Sequence, residues 1–242
     1  MWLLYALSAM GLLVMRRGTE KNLADKVPSS AMAWLQQFFA LPFMALMLPF
    51  ATWYNLVNLS GQFKLVLAVY AVVGAIDLIF WYKAVQVGDI SIIAPLINLT
   101  TVSSILGSYL ILGQTPTTQG ILAALLVIIG AYLVAKRKHA SKTAIDNRLA
   151  VLLILGVVVM RGIYSPLEVI AIRETNPVYF NFISSLFAVP TVMLIMLFRQ
   201  TGKKEKNYTK KLQKTIIHYR FPLIFIGFTM AFNMFFTYSA KI

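Results

Sequence analysis

The chain has no cysteine, two histidines and only eight acidic residues among 242. The missing cysteine excludes disulfides and thiolate metal sites. His139 and His218 both lie in lysine-rich stretches, far from any carboxylate cluster at metal-ligand spacing. No glycine-rich phosphate loop occurs, so ATP-driven pumping by this chain has no basis. The sequence predicts no enzyme, no metal site and no cofactor. Charge of either sign is scarce: 12% of residues are charged and 59% hydrophobic. Soluble domains carry about 45–50% apolar residues. The excess places the chain in lipid.

A bilayer core about 30 Å thick needs roughly 20 apolar residues per helix. Spans fall at about residues 29–52, 63–83, 90–113, 116–135, 149–172, 177–199 and 219–240. An eighth, Trp2 to Met15, precedes them. Fourteen residues at 1.5 Å each give roughly 21 Å, so this first helix must thin the bilayer, extend through its arginine flank, or lack residues. A cleaved signal peptide fits poorly, because Arg16 and Arg17 follow the apolar run instead of preceding it.

The net charge of +14 raises nucleic acid as a partner, and the location of the charges removes it. The basic residues sit between spans. The loops after the first, third, fifth and seventh spans hold Arg16 to Lys26, Lys83, Lys136 to Arg148, and Arg199 to Arg220. The opposite loops hold only Lys64, Arg173 and Lys241. This bias puts the basic loops in the cytoplasm and the N-terminus outside. Lysine-rich loops beside a bilayer attract anionic lipid, so lipid is the expected partner and nucleic acid is not.

Two internal echoes organise the chain. Phe39-Ala40-Leu41-Pro42 in the second span returns as Phe187-Ala188-Val189-Pro190 in the seventh, and Phe80-Trp81-Tyr82-Lys83-Ala84 returns as Phe236-Thr237-Tyr238-Ser239-Ala240 in the eighth. The expected organisation is a first repeat of five helices over 1–135, a basic linker over 136–148, and a second repeat over 149–242 that holds three helices. An odd number of helices per repeat inverts the second relative to the first, as in many secondary transporters. A full second repeat predicts two further helices beyond Ile242.

One stretch carries a family pattern. Tyr82-Lys83-Ala84-Val85-Gln86-Val87-Gly88-Asp89-Ile90-Ser91-Ile92-Ile93-Ala94-Pro95-Leu96 is followed by Leu110-Ile111-Leu112-Gly113-Gln114, Gln119-Gly120-Ile121-Leu122 and Gly130. It resembles the repeat of the drug/metabolite transporter superfamily, EamA type. The resemblance implies an all-α polytopic bundle of ten helices, of which eight are present, arranged as inverted five-helix repeats. It also implies secondary transport of a small metabolite or drug-like solute across the plasma or inner membrane. Gln114 stands where the family usually has Glu. Family members commonly keep both termini in the cytoplasm, against the charge count.

Ionisable groups inside a span cost about 2.5–3.5 kcal/mol each on insertion scales, so each marks a pairing or a cavity. Asp77 lies in the third span, and the repeat offset sets Asn233 at the same point of the eighth. Facing one another across the pseudo-two-fold axis, they would form a polar midplane site for an amine or a coupling proton. The competing reading is hydrogen-bonded glue between helices. Arg161 and Glu168 lie two turns apart on one face of the sixth span with Tyr164 between them, and Pro166 interrupts that helix. The set suggests a cavity wall, against plain structural pairing of Arg161 and interfacial snorkelling of Glu168. Pro95 and Asn98, with Thr100, Thr101, Ser103 and Ser104, make the start of the fourth span polar. Pro95 frees a carbonyl for a solute, and the resemblance places Ala94-Pro95 at the head of a cavity-lining helix. Ser103 with Gly107, and Ser104 with Ser108, read as close helix packing. Phe80, Trp81 and Tyr82 read as an interfacial aromatic belt. Alternatives are a nucleotide-sugar or lipid-linked carrier, which needs more basic cavity groups than Arg161, and a non-transporting scaffold. Neither a coupling proton nor a homodimer conflicts with the pattern.

Overall fold

The computed structural model describes residues 2–24, 26–135, 144–201 and 208–239. Among them the chain is helical throughout, with no strand. Five helices are long and apolar enough to cross a membrane, and two shorter apolar helices, Thr118–Leu133 and Arg220–Asn233, match the remaining predicted spans after the first. The protein is a multi-pass integral membrane bundle. Contacts divide it into two compact units, one of residues Met1–Ala75 and Ala171–Ile242, the other of Ile76–Ile170.

The first unit contains α1 (Trp2–Ala24), α2 (Ser29–Met47), the opening half of α3 (Gly61–Val87), α8 (Pro177–Thr201), α9 (Tyr208–His218) and α10 (Arg220–Ser239). Helix α1 corrects the short first span. It runs 23 residues, through Arg16 and Arg17, because Glu20 one turn on pairs with both guanidinium groups at 3.2 and 3.0 Å. Within one helix, i,i+3 and i,i+4 pairs of opposite charge support continued winding.

Helix α10 packs on α1 and α2, and α2 on α8. Ala40, Met44, Met230 and Ala231 form a buried cluster capped by Phe43 and Phe182. Gly227 lies against the backbone of Phe39, where a Cβ would collide, so glycine sets this crossing. At one end of the unit, Asn176 donates to the Thr52 carbonyl (2.9 Å), and Glu174 accepts from the Ser60 amide and hydroxyl at 2.7 and 2.6 Å. The loop after α2 and the turn before α8 are thereby tied together, so α2 ends where α8 begins and the two run antiparallel. At the other end Lys26 lies over the Tyr219 ring, 5.6 Å from its centre.

The second unit contains the rest of α3, then α4 (Ile90–Ile97), α5 (Leu99–Leu112), α6 (Thr118–Ala135) and nearly all of α7 (Ala144–Glu174). The fourth predicted span is thus two helices. Pro95 supplies no amide proton, and around Asn98 the bonding tightens to three-residue steps, Asn98 N–H to Pro95 O and Thr101 N–H to Asn98 O. The Thr100 hydroxyl covers the Ile97 carbonyl at 2.7 Å. Helix α5 stops at Gly113, whose φ of 65° is left-handed and lets Gln114 N–H reach back to Ser108 O.

Several sequence expectations shift. Trp81 and Tyr82 are 3% and 0% exposed, since α3 continues to Val87 and buries them, so they are no interfacial belt. The aromatic end cluster is instead Trp53, Tyr54, Tyr179 and Phe182, with ring centres 5.3–6.4 Å apart. Arg16, Arg17, Lys83, Arg148 and Arg220 belong to helices, not loops, and the stretch before α10 contains α9, which ends at His218. Helix α7 begins at Ala144, inside the expected linker. Residues 136–143, with His139, and Lys203, Lys204, Lys206 and Lys241 lie outside the described residues.

Candidate functional site

The second unit gathers four of the predicted site residues. Helix α7 carries Arg161, Tyr164 and Glu168 along one face, and α3 brings Asp77 to meet them. Arg161 grips Asp77 in a fork: Nε donates to Oδ1 at 3.2 Å and Nη2 to Oδ2 at 3.0 Å. Planar guanidinium matches planar carboxylate in this way, and lysine would not reproduce it. The Asp77 side chain is 3% exposed and that of Arg161 24%. The aspartate is sealed, and the arginine side chain is partly exposed. Tyr164 lies within electrostatic reach of Arg161, Asp77 and Glu168, and Glu168 is 5% exposed. Burial removes the snorkelling reading for Glu168. With two carboxylates and one guanidinium, the ionised cluster has a formal charge of −1.

Small residues bring the walls together. At Gly107 on α5 a Cβ would strike the Gly162 carbonyl, and at Gly162 it would strike the Ser103 hydroxyl, so α5 and α7 touch backbone to backbone one residue from Arg161. This bears out packing as the role of Ser103 and Gly107. Gly156 on α7 faces the Phe80 ring at 3.2 Å, and Gly88 faces Ala150. Pro166 is buried without ending α7, which remains one helix from Ala144 to Glu174.

The other predicted residues are placed differently. Pro95 is buried and Asn98 exposed, both at the α4–α5 break of this unit. Asn233 belongs to the first unit, where its amide donates to the Ala9 carbonyl at 2.6 Å. Asp77 and Asn233 thus each have a partner inside their own unit.

Sequence reasoning left Asp77 without a partner. The available signal was charge complementarity: Arg161 is the basic residue set deepest in a described span, and an intramembrane acid seeks a base. It also overlooked a neutral polar seam in the first unit, formed by Gln36, Gln37, Asn181, Ser184, Ser185 and Thr229, all at most 5% exposed. The Gln36 amide reaches Met230 Sδ at 2.9 Å.

The described residues form a multi-pass helical bundle with a paired arginine and aspartate inside its helices. The sequence model of the EamA-like transporter family matches residues 1–136, and the chain belongs to that family, of the drug/metabolite transporter type. The match covers the first five helical spans. A search of the curated proteins finds no match.

Proposed function

We propose that the chain is a secondary transporter of a small metabolite or drug-like solute, working by alternating access of two inverted halves, 1–135 and 149–242. The observation that carries this reading is the forked Arg161–Asp77 pair, sealed on the acid side and open on the arginine side. The −1 cluster favours a solute bearing an amine, or a coupling proton taken up by the carboxylates. Tyr164 and Glu168 stand as further solute contacts, and Pro95, Asn98 and Asn233 as polar positions along the path. The plasma or inner membrane is the proposed location, with the basic loops in the cytoplasm.

The test is flux into proteoliposomes of a panel of labelled amines and zwitterions, with and without an imposed pH gradient. Asp77→Asn keeps the shape and removes the charge. It is expected to cut flux at least tenfold and to abolish any response to the gradient. Arg161→Ala is expected to do the same. Unchanged flux in both variants at unchanged expression sinks the assignment.

A further inference from the structure

In the first unit, an open groove of about 390 Å³ is lined by Leu56, Val57, Lys64, Leu67, Ala68 and Phe187. Lys64 stands in the opening turn of α3, with Leu67 and Ala68 three and four residues on and so directly beneath it on the same face. The groove therefore starts at a cation and continues along the helix as purely apolar wall, with Phe187 of α8 as its other side. At about 30 Å³ for a water-sized group, this volume equals that of about a dozen such groups, the bulk of an acyl-chain segment.

The mouth has both signs of charge. Lys64 Nζ donates one of its three N–H bonds to the Val57 carbonyl at 2.8 Å, which fixes the ammonium over the groove. Glu174 lies within electrostatic reach of Lys64 and is itself anchored by the Ser60 amide and hydroxyl. A carboxylate has about four acceptor positions, and these two bonds occupy half of them. The mouth is also at the right depth: Gly61 opens one membrane-crossing helix, Glu174 closes another and Pro177 opens a third. Lys64 and Glu174 therefore sit where headgroups lie, and the apolar wall extends toward the acyl region.

The geometry points to a resident phospholipid with a headgroup amine, its phosphate on Lys64, its ammonium on Glu174 and one acyl chain between α3 and Phe187. Charge complementarity selects this occupant. A lone lysine would take any phosphate, whereas paired opposite charges match a zwitterionic phosphoethanolamine. An apolar solute would leave both charges unused. The site does not depend on the transport reading, since it uses none of Asp77, Arg161, Tyr164 or Glu168.

The test is native mass spectrometry of the full chain, loaded in nanodiscs with equal parts of phosphatidylethanolamine, phosphatidylglycerol and phosphatidylcholine and then delipidated stepwise. The wild type is expected to retain one phosphatidylethanolamine at least fivefold over either competitor. Lys64→Gln should lose retention of all three, and Glu174→Gln should lose the preference while still holding phosphatidylglycerol. Glu174→Gln also disturbs the Ser60 anchor, so Ala68→Phe supplies a separate arm: it fills the groove, leaves both charges, and should release the lipid at an unchanged melting temperature. Equal retention of the three lipids by the wild type overturns the proposal, as does undiminished phosphatidylethanolamine in both Lys64→Gln and Ala68→Phe.

Discussion

The two units solve one problem, polar groups inside a bilayer, by different means. The first buries mostly neutral amides and hydroxyls, Gln36, Gln37, Asn181, Ser184, Ser185 and Thr229, and one acid, Glu20, which pairs with Arg16 and Arg17 on its own helix. The second buries charge, with Asp77 and Glu168 against Arg161, and clamps it between helices that meet at glycine. Neutral interhelical hydrogen bonds in membranes average about 0.6 kcal/mol, whereas opening a buried ion pair from one side costs about 3–5 kcal/mol. Small, replaceable contributions characterise the first unit, and the second depends on one indispensable pair. Both units bury a carboxylate against arginine, but the Glu20 pairs stay within one helix, whereas Asp77 and Arg161 join two, and that bridging pair is the stronger mark of function.

The largest expected effect comes from breaking the pair on one side only. Arg161→Ala strands Asp77 and should lower stability by about 3–5 kcal/mol, read as a large drop in the melting temperature of the purified protein. Replacing both residues with leucine should recover most of that loss while flux stays absent. If the double variant melts as low as the single one, the pair is not the coupled element of the second unit. Next comes the glycine crossing. Gly162→Val pushes a side chain into Ser103 and should cost about 1–3 kcal/mol or more. Gly227→Val does the same against Phe39 in the first unit. Comparable losses at the two positions would show that close crossings are common to both units and that a charge pair bridging two helices is what separates them. The smallest effect belongs to the neutral seam: Gln36→Leu, which removes the contact to Met230, should change stability by less than about 1 kcal/mol and leave flux intact. A loss of flux there would move function into the first unit.

Much of this architecture was legible in the sequence. The all-helical class and the seven long spans followed from apolar runs near membrane length, and Arg161, Tyr164 and Glu168 shared a face by helical spacing alone. The ends of elements were less legible. Apolar content marks where lipid contact stops, whereas α1, α3 and α7 wind on through charged residues that are good helix formers. For that reason Trp81 and Tyr82 were misread as an end-of-helix belt. The Asp77–Arg161 pair was hidden by a sequence separation of 84 residues, which no local pattern bridges. Pro95 was a visible mark, yet whether proline ends, bends or merely loosens a helix depends on what covers the freed carbonyls. Near Pro95 the break falls at Asn98, and at Pro166 the helix continues.

Helix α1 sets a requirement on how the protein is made. It packs against α10, with Asn233 bonded to Ala9 across 224 residues of chain. At roughly 5–20 residues per second, about 10–45 s pass between synthesis of the two partners. During that interval α1 lacks the α10 face it packs on in the folded chain. The packing of α1 on α10 therefore forms only once α10 has emerged, which separates the making of that contact from the making of α1 itself.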